Sequence, residues 1–485
     1  MALGPDTVSR RGPRGGQYLP LAAEDVSRVH RASLRVLERT GVCVRHGAAQ
    51  ELYRQVGARV QDDRVTFPED VVESALALAP HQVLLAGRDP AQDIVLEGTR
   101  VYAGTGGSPA AVVDPGASRP RPAMLRDIRD LARLADGLER CDFVVVPLTP
   151  TDVPPEDTPV NRFYACLSQT GKHVMGGLGS VEGARQVREL GALVAGGETS
   201  LRERPILSAI ACWMVSPLEL DPVVTDILLE WCGYGLPVAL SSAPMAGSTS
   251  PVSLAGTLVQ LHAEQLSGIV LTQAARPGTP VLAGYLPGVA DMRTGGYVGG
   301  AVEFGMMQAA AAQLARHCGV PIYASGGMSD SKLPDLQAGY EKMATFLLAA
   351  MGGCNFVHHA IGMVANMSAT SLEMAVSDDE IVALGMRVLS GLSIDDESLA
   401  VDAINRVGPG GQFLTDEHTL RFMRREVLIP LLADRLGFPQ WLAEGGQERR
   451  MRVCARVERL LSCHTPQGLA HEVDQAIRQR FRIQQ

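Results

Sequence analysis

Two adjacent histidines, His358 and His359, lie near the carboxyl end of a predicted strand over residues 355–361. Parallel α/β folds place their ligands at that end of the strands, so we predict that the pair is catalytic. Successive side chains of a strand point to opposite faces of a sheet. We therefore expect one imidazole ring to face the interior of the barrel or sheet and the other to face the surrounding helices.

A polar, glycine-rich turn precedes the two histidines by one predicted helix. It follows a short apolar strand and leads into a helix that begins near residue 336, which is the order of a βαβ unit. Its residues stand where the first strand ends, and we predict that five of them bind substrate: Ser325, Gly326, Gly327, Asp330 and Lys332. The glycines have a simpler interpretation as a turn, and Asp335 has one as the N-cap of the helix.

Three further side chains suit a cationic ligand. Trp213 and Tyr285 stand at the ends of two other predicted strands, and aromatic faces attract quaternary ammonium groups, so we predict that both bind substrate. The alternative for Trp213 is core filling. Glu303 begins a helix after the glycine-rich segment 295–300. It is either a third candidate catalytic residue, with its carboxylate facing a cation, or an acid that balances the positive end of the helix.

Covalent chemistry on a lysine is disfavoured. A buried barrel lysine can form a Schiff base. Lys172 stands at the amino end of its predicted strand, which is the wrong end for a site. Lys332 stands beside Asp330 and Asp335, which would keep its amine charged and therefore not nucleophilic. The chain also has no nucleophile elbow and no Ser-His-Asp pattern.

Composition excludes several classes of protein. The 485 residues carry a net charge of −9, which argues against nucleic acid as a partner, because phosphates require basic patches. The nine cysteines are scattered without a Cys-x-x-Cys pair, which indicates reduced thiols in the cytoplasm and no disulfide framework. The cysteines and histidines are not clustered along the sequence, so we predict no tetrahedral zinc site. We also expect no secretory signal and no membrane span.

Apolar strands alternate with helical patterns along the central part of the chain. Such alternation predicts a parallel sheet in an α/β protein. Eight strand–helix units over about 260 residues match a (β/α)₈ TIM barrel, with a doubly wound sheet as the alternative. No Gly-x-Gly-x-x-Gly follows the first strand, so dinucleotide binding has no support. The predicted strands are 101–104, 143–148, 173–177, 206–213, 238–242, 281–285, 321–325 and 355–361, and the predicted helices are 125–138, 160–170, 181–194, 223–232, 254–275, 301–317, 336–351 and 379–390.

The flanks of the barrel are predicted to be mainly helical. Residues 1–95 form an N-terminal helical layer, which begins with a mobile or surface-wrapping arm over residues 1–17. Residues 96–392 form the barrel. Residues 393–485 form a C-terminal helical extension, which we expect to pack on the barrel or on another subunit.

Several motifs resemble those of the trimethylamine methyltransferase family. The most specific is Gly-Gly-Met-Ser-Asp-Ser-Lys-Leu-Pro-Asp-Leu-Gln-Ala-Gly-Tyr-Glu-Lys at 326–342. The others are Gly-Gly-Gln-Tyr at 15–18, Arg-Thr-Gly-Val at 39–42, Gly-Gly-Cys-Asn at 352–355, Asp-Glu at 379–380, Val-Gly-Pro-Gly-Gly at 407–411, His-Thr at 418–419 and the region of Trp441. The resemblance covers nearly the whole chain.

The resemblance implies a barrel that demethylates a methylated amine and passes the methyl group to the Co(I) of a separate corrinoid protein. The chain would then bind no cofactor itself, because the corrinoid, a cobalamin, is carried by the partner. Family members that act on trimethylamine carry pyrrolysine in or near the stretch that reads 355–363 here. This chain has ordinary residues there, with His358 and His359 nearest. It is therefore similar to the pyrrolysine-lacking branch, which includes glycine betaine methyltransferases. We also expect the protein to be a homo-oligomer.

Chemistry agrees with a quaternary amine as substrate. A quaternary ammonium is an activated methyl donor, because its leaving group departs as a neutral amine, so the reaction needs orientation but neither a proton nor zinc. Backbone amides near Gly326 and Gly327, or a nearby histidine, could bind a carboxylate on such a substrate. The alternatives are another methylated amine, another methyl acceptor, or a betaine-binding protein without catalysis.

Overall fold

Eight parallel strands close into a barrel in the computed structural model, which describes residues 10–484. The strands neighbour one another in chain order, and the last pairs with the first. All eight predicted strands are confirmed, and the closed barrel excludes the doubly wound alternative. The strands are β1 (Tyr102–Thr105), β2 (Phe143–Val145), β3 (His173–Gly177), β4 (Leu207–Ala211), β5 (Val238–Ser242), β6 (Val281–Tyr285), β7 (Ile322–Ser325) and β8 (Phe356–Ile361).

Helices follow the strands and form the outer layer. The predicted N-cap at Asp335 is confirmed, because its carboxylate accepts a hydrogen bond from the amide of Ala338 over 2.9 Å. The helices are α1 (Ala23–Arg39), α2 (Gly47–Gln55), α3 (Glu69–Leu78), α4 (Leu125–Gly137), α5 (Thr158–Leu167), α6 (Val181–Ala195), α7 (Glu198–Glu203), α8 (Pro222–Tyr234), α9 (Leu254–Ala275), α10 (Val302–His317), α11 (Leu336–Gly352), α12 (Leu372–Leu389), α13 (Asp396–Leu399), α14 (Val401–Val407), α15 (Glu417–Glu426), α16 (Phe438–Ala443), α17 (Arg449–Cys463) and α18 (His471–Arg480).

The amino end of the barrel is closed. A hairpin of Val83–Leu85 and Ile94–Leu96 packs against the side chains that fill the barrel interior. The backbone amide of Ala86, directly after the hairpin's first strand, donates to the carbonyl of Pro205, just before β4. The interior side chains are Tyr102, Phe143, Val145, Met175, Ala239, Leu282, Tyr323 and Phe356. The carboxyl end is therefore the candidate position for a ligand.

Two small sheets form the rim of that carboxyl end. One consists of Met245–Ala246, Gly288–Ala290 and Tyr297–Val298, which follow β5 and β6. The other consists of strands that follow β1 and β8, namely Ala111–Val113, Arg121–Pro122, Met363–Val364 and Ala369–Ser371. We refer to the space between these sheets and the ends of the barrel strands as the mouth.

The flanking helices pack on opposite sides of the barrel. Helices α1 to α3 contact α9, whereas α17 contacts α4 and α12. A five-stranded sheet of Val42–Cys43, Arg59–Gln61, Arg64–Thr66, Met214–Val215 and Glu219–Leu220 joins the N-terminal layer to the segment after β4. One continuous apolar core runs from Val26 to Ile477. The domain boundaries at 95 and 392 stay predictions, because this core crosses both.

The predicted N-terminal arm lies only partly within the described residues. Residues 1–9 lie outside them. From residue 10 the chain wraps around the amino end of the barrel, where the amide of Gly15 donates to the carbonyl of Thr99 and that of Gly16 to the carbonyl of Met351. Among residues 10–484, no helix combines the length and the apolar character that a membrane span requires.

Candidate active site at the barrel mouth

His358 and His359 point to the same side of β8. Their ring centroids lie 3.7 Å apart, so the prediction that they face opposite sides is wrong. The cause is an irregularity in the pairing of β8 with β1, where His359 adopts φ of +65°. Such a bulge breaks the alternation of side chains along a strand. Gly106 makes room for the bulge, because a Cβ at that position would overlap the backbone and ring of His359.

Both rings are neutral and held by hydrogen bonds. His358 Nδ1 donates to the carbonyl of Ala324 over 2.5 Å, and its ring stacks on Tyr323 with centroids 4.0 Å apart. His359 Nδ1 bonds Ser325 Oγ over 2.8 Å. Burial lowers the pKa of His358 to about 3 and lowers the pKa of His359 well below its usual value. The mouth therefore presents uncharged imidazoles at ordinary pH.

A buried ion pair supports the segment around the histidines. Lys342 Nζ lies 3.2 Å from Asp378 Oδ2, and it donates to the carbonyls of Gly327 over 2.5 Å and Met363 over 3.0 Å. Asp378 also accepts from the amide of Gly362 over 2.8 Å. Burial raises the pKa of Asp378 to about 7 and lowers the pKa of Lys342, while their mutual attraction opposes both shifts. The pair thus joins the turn after β7 to the end of β8.

Most polar groups of the predicted substrate-binding turn form hydrogen bonds with neighbouring backbone segments. The amide of Gly326 donates to the carbonyl of His358 over 3.2 Å, so it is not free to bind a substrate carboxylate. Gly327 adopts φ of +65° against Ala360. Asp330 accepts from the amides of Gly299 and Gly300, which tethers the preceding loop.

The remaining polar residue of the turn is exposed. Lys332 Nζ donates to the carbonyl of Asp330 over 2.9 Å, and its side chain lies at the surface. Of the five residues predicted to bind substrate in this turn, Ser325 has the most direct link to the mouth, through its hydrogen bond with His359. Substrate binding by the other four stays a prediction.

Trp213 and Tyr285 face the helical layer, which corrects the prediction that both bind substrate at the mouth. Both are fully buried in the core between strands and helices. Tyr285 Oη bonds His262 Nδ1 of α9 over 2.7 Å, and the Trp213 ring packs on Gly268 of the same helix. The strand end at Tyr285 is confirmed, whereas β4 ends at Ala211, two residues before Trp213, and both side chains point outward.

Glu303 lies exposed in the first turn of α10. This location suits a carboxylate that balances the positive end of the helix, where such charges stabilise it modestly. A catalytic role for Glu303 stays a prediction.

An arginine that the sequence analysis missed lies at the mouth. Arg162 of α5 donates from Nη2 to Ser108 Oγ over 2.6 Å, and Ser108 Oγ donates to the carbonyl of Val146 after β2. Ser108 is two residues beyond Gly106, which abuts His359. Arg162 forms no ion pair within the described part of the chain, and its Nε is buried without a partner there. Burial lowers its pKa to about 10, so the guanidinium remains charged.

Cys212, the residue after β4, is exposed at the same end. It is solvent-accessible, although burial still raises the pKa of its thiol, and the side chain of Ser241 hydrogen-bonds it. Cys212 follows the inward residue Ile210 by two positions, so strand alternation could have identified it. The signal for Arg162 was a lone charge in an apolar helical run.

Comparison with known proteins assigns the family. The model of the family described as Trimethylamine methyltransferase (MTTB) matches residues 8–484. A glycine betaine methyltransferase of Desulfitobacterium hafniense strain Y51 is 34% identical over 95% of this chain and 96% of its own. A trimethylamine methyltransferase of D. hafniense strain DSM 10664 / DCB-2 is 34% identical over 94% of this chain and 92% of its own.

A third relative comes from another genus. A trimethylamine methyltransferase of Methanosarcina barkeri strain Fusaro is 34% identical over 91% of this chain and 90% of its own. Among solved structures, a dihydropteroate synthase of Coxiella burnetii covers 63% of this chain and 99% of its own at 13% identity, with a TM-score of 0.38 that is too low to inform function. The chain therefore belongs to the trimethylamine methyltransferase family and is a methyltransferase.

Proposed function

We propose that this methyltransferase demethylates a quaternary amine that also carries a carboxylate, such as glycine betaine, and passes the methyl group to the Co(I) of a separate corrinoid protein. Its family and its relatives named for glycine betaine and trimethylamine support a methylated amine as substrate. The chain itself would hold no corrinoid. The acceptor would approach the mouth, since the amino end of the barrel is closed by the hairpin.

The observation that carries the proposal is the unpaired guanidinium of Arg162. A charged group that is partly desolvated and has no counter-ion is costly, and such groups concentrate at functional sites. Arginine binds carboxylates through two parallel hydrogen bonds, which fix orientation as well as charge. A substrate carboxylate would supply the missing partner, whereas a purely cationic amine would be repelled. The site thus favours a zwitterion.

The remaining residues of the mouth suit the ammonium end of such a substrate. His358 and His359 are neutral, so they add no positive charge, and with Tyr323 they form a rigid aromatic wall. We assign them to positioning the methyl group in line with its acceptor. During transfer the C–N bond breaks, both of its electrons stay on nitrogen, and the amine leaves neutral. No proton needs to move, which agrees with histidines that do not titrate near neutral pH.

Calorimetry with glycine betaine, carnitine, proline betaine, choline and trimethylamine tests the proposal. We expect the carboxylate-bearing compounds to bind most tightly. Arg162→Gln should weaken their binding by about 10- to 100-fold, which corresponds to the loss of charge-assisted hydrogen bonds, and should leave choline binding unchanged or slightly stronger. Arg185→Gln is the matched control, because Arg185 is exposed and already paired with Glu230.

Several outcomes would contradict the proposal. Binding of trimethylamine alone, or an equal loss of choline and betaine binding in Arg162→Gln, would exclude a zwitterion as substrate. Methyl transfer is measured separately, from the change in the absorption spectrum of a reduced corrinoid protein on adding enzyme and betaine. Tight betaine binding without transfer to any corrinoid protein would instead favour a binding protein that lacks catalysis.

A further inference from the structure

A second group of histidines lies between helices, under the N-terminal layer. His30 of α1, His262 of α9 and Cys318, the C-cap residue directly after α10, are all buried. We call these three residues the helical cluster. His30 Nδ1 lies 2.8 Å from His262 Nε2, and Cys318 Sγ lies 4.0 Å from the first nitrogen and 3.9 Å from the second. Three potential metal ligands thus converge from three separate helices.

Each histidine of the cluster also has a partner for its other ring nitrogen. His30 Nε2 lies 3.4 Å from a carboxylate oxygen of Glu73, and His262 Nδ1 lies 2.7 Å from Tyr285 Oη. Histidines that bind metals almost always donate their second N–H to a carboxylate, a carbonyl or another oxygen, which fixes the tautomer and turns the lone pair toward the ion. Glu73 and Tyr285 stand where such supporting groups are needed.

We propose that His30, His262 and Cys318 form a binding site for Zn²⁺ or a similar thiophilic divalent ion. Two imidazoles and a thiolate are typical ligands of zinc. Zinc bonds of about 2.0–2.1 Å to nitrogen and 2.3 Å to sulfur would require the two ring nitrogens to separate by roughly half an ångström. A further histidine beside the cluster is the exposed His317, whose ring lies edge-on to His30 with centroids 4.9 Å apart.

The protonation states of the three ligands suit metal binding, because the two rings are neutral and the thiol loses its proton when a metal ion binds. Burial lowers the pKa values of His30 and His262, so neither ring must lose a proton before it binds an ion. Burial raises the pKa of Cys318 to about 12, so the group is a thiol until a cation lies beside it. A bound divalent ion deprotonates a coordinating thiol. Binding should therefore release about one proton per ion.

A hydrogen-bond chain without metal is the competing interpretation. Tyr285 would donate to His262, His262 to His30, and His30 to Glu73, which satisfies every ring nitrogen. This chain gives Cys318 no role, although its sulfur lies within 4.0 Å of both rings. The two interpretations differ in whether Cys318 matters for binding zinc. The inference does not depend on the function proposed for the mouth.

Zinc content and affinity of the full-length protein test the proposal. Protein produced with added zinc should contain about one ion per chain by mass spectrometry of the metal. After removal of the metal, zinc is titrated in competition with a chromophoric chelator. Co²⁺ is then added as a spectroscopic probe, and we expect a thiolate-to-cobalt absorption band that disappears in Cys318→Ser. Calorimetry in two buffers with different ionisation heats measures the proton released.

Two kinds of variant separate binding from folding. Cys318→Ser removes a ligand. Glu73→Gln removes a supporting carboxylate whose side chain is 54% exposed, so this variant should fold normally and bind zinc about 10- to 100-fold more weakly. Asp70→Asn on the same helix and Cys463→Ser are exposed controls that should bind zinc like the wild type. Circular dichroism verifies folding of every variant.

Two results would overturn the proposal. Wild-type protein that takes up no zinc in competition with the chelator would leave the hydrogen-bond chain as the whole explanation. Zinc that binds with unchanged affinity to both Cys318→Ser and Glu73→Gln would place the ion elsewhere. If Cys318→Ser does not fold, the comparison of Glu73→Gln with Asp70→Asn still decides.

Discussion

Two pairs of buried histidines occupy different environments in this protein. His358 and His359 are adjacent in sequence and lie at the mouth, where a bulge turns both rings to one side. His30 and His262 are 232 residues apart and meet between helices. Burial lowers the pKa of all four. Burial and neutrality alone therefore do not distinguish a substrate site from a structural one; the neighbouring groups do.

The neighbours of the two pairs differ in chemistry. The mouth pair contacts the hydroxyl of Ser325 and the stacked ring of Tyr323. Nearby, Ser108 accepts a hydrogen bond from Arg162, which has no ion-pair partner among the described residues. The histidines of the helical cluster lie beside the thiol of Cys318 and the exposed carboxylate of Glu73. The first set suits a zwitterionic organic molecule, and the second suits a metal ion. The predictions below test this separation.

The largest effect is expected from the ion pair that supports only the mouth. Lys342→Met leaves Asp378 buried without its partner and frees two backbone carbonyls, so the free energy of unfolding should fall by about 3–5 kcal/mol. Urea denaturation measures it. Lys332→Met, an exposed lysine, should change stability by less than about 0.5 kcal/mol. Replacing Asp378 by leucine as well removes the unpaired acid and should restore part of the loss, although the two carbonyls and the amide of Gly362 stay unpaired. A double variant as unstable as the single one would contradict a role for the ion pair.

A smaller effect should separate the two pairs by function. His359→Gln should lower kcat/KM for the methylated amine by roughly 100-fold, because a displaced substrate reacts slowly. His262→Gln should instead cost about 1–3 kcal/mol of stability, since it leaves buried hydrogen-bonding groups unpaired, and should keep kcat/KM. Methyl-transfer kinetics and urea denaturation are measured on both. An equal loss of kcat/KM in His262→Gln would mean that the two regions are coupled.

The smallest effect is a difference in acid sensitivity. Between pH 6.5 and about 3, unfolded chains protonate His358 but the folded protein does not, so each unit of acidification removes up to about 1.4 kcal/mol of stability. Glutamine at this position could still donate to the carbonyl of Ala324. We therefore expect His358→Gln to lose about 2 kcal/mol less than the wild type between pH 7 and 5. Parallel stability curves for the two proteins would exclude a neutral His358.

Local sequence signals were sufficient for the barrel. Its strands are short apolar runs between turns, and each helix carries a pattern that a single chain segment reveals. Asp335 was recognisable as an N-cap because capping depends on residues only three positions apart. These features need no knowledge of which segments meet in space, and the structure confirms them.

The face of each strand residue was harder to predict. Barrel strands are buried on both sides, so their sequences are apolar throughout and do not mark which residues point inward. Trp213 and Tyr285 were therefore placed at the correct end but on the wrong face. The bulge at His359 was also hidden, because its positive φ occurs in a residue that rarely adopts one.

Groups assembled from distant segments were invisible to sequence patterns. The expectation that no metal ligands cluster came from spacing along the chain, yet His262 and Cys318 lie 56 residues apart and His30 lies farther still. Arg162 lacks an ion-pair partner among the described residues because no carboxylate of the folded chain reaches it. The spacing of residues along the sequence does not show this. The sequence thus indicates which end of the barrel holds the mouth, but it does not identify Arg162 as the charged group there.

Gly106 has a consequence for how this family can diverge. A side chain there would overlap the backbone and ring of His359, so the glycine directly after β1 and the bulge in β8 must be inherited together. A relative that acquires any larger residue at the position of Gly106 has to straighten its last strand, and the ring at the position of His359 would then turn away from its neighbour. Comparing these two positions across diverged sequences would therefore separate lineages that keep paired rings from lineages that have rebuilt the pocket.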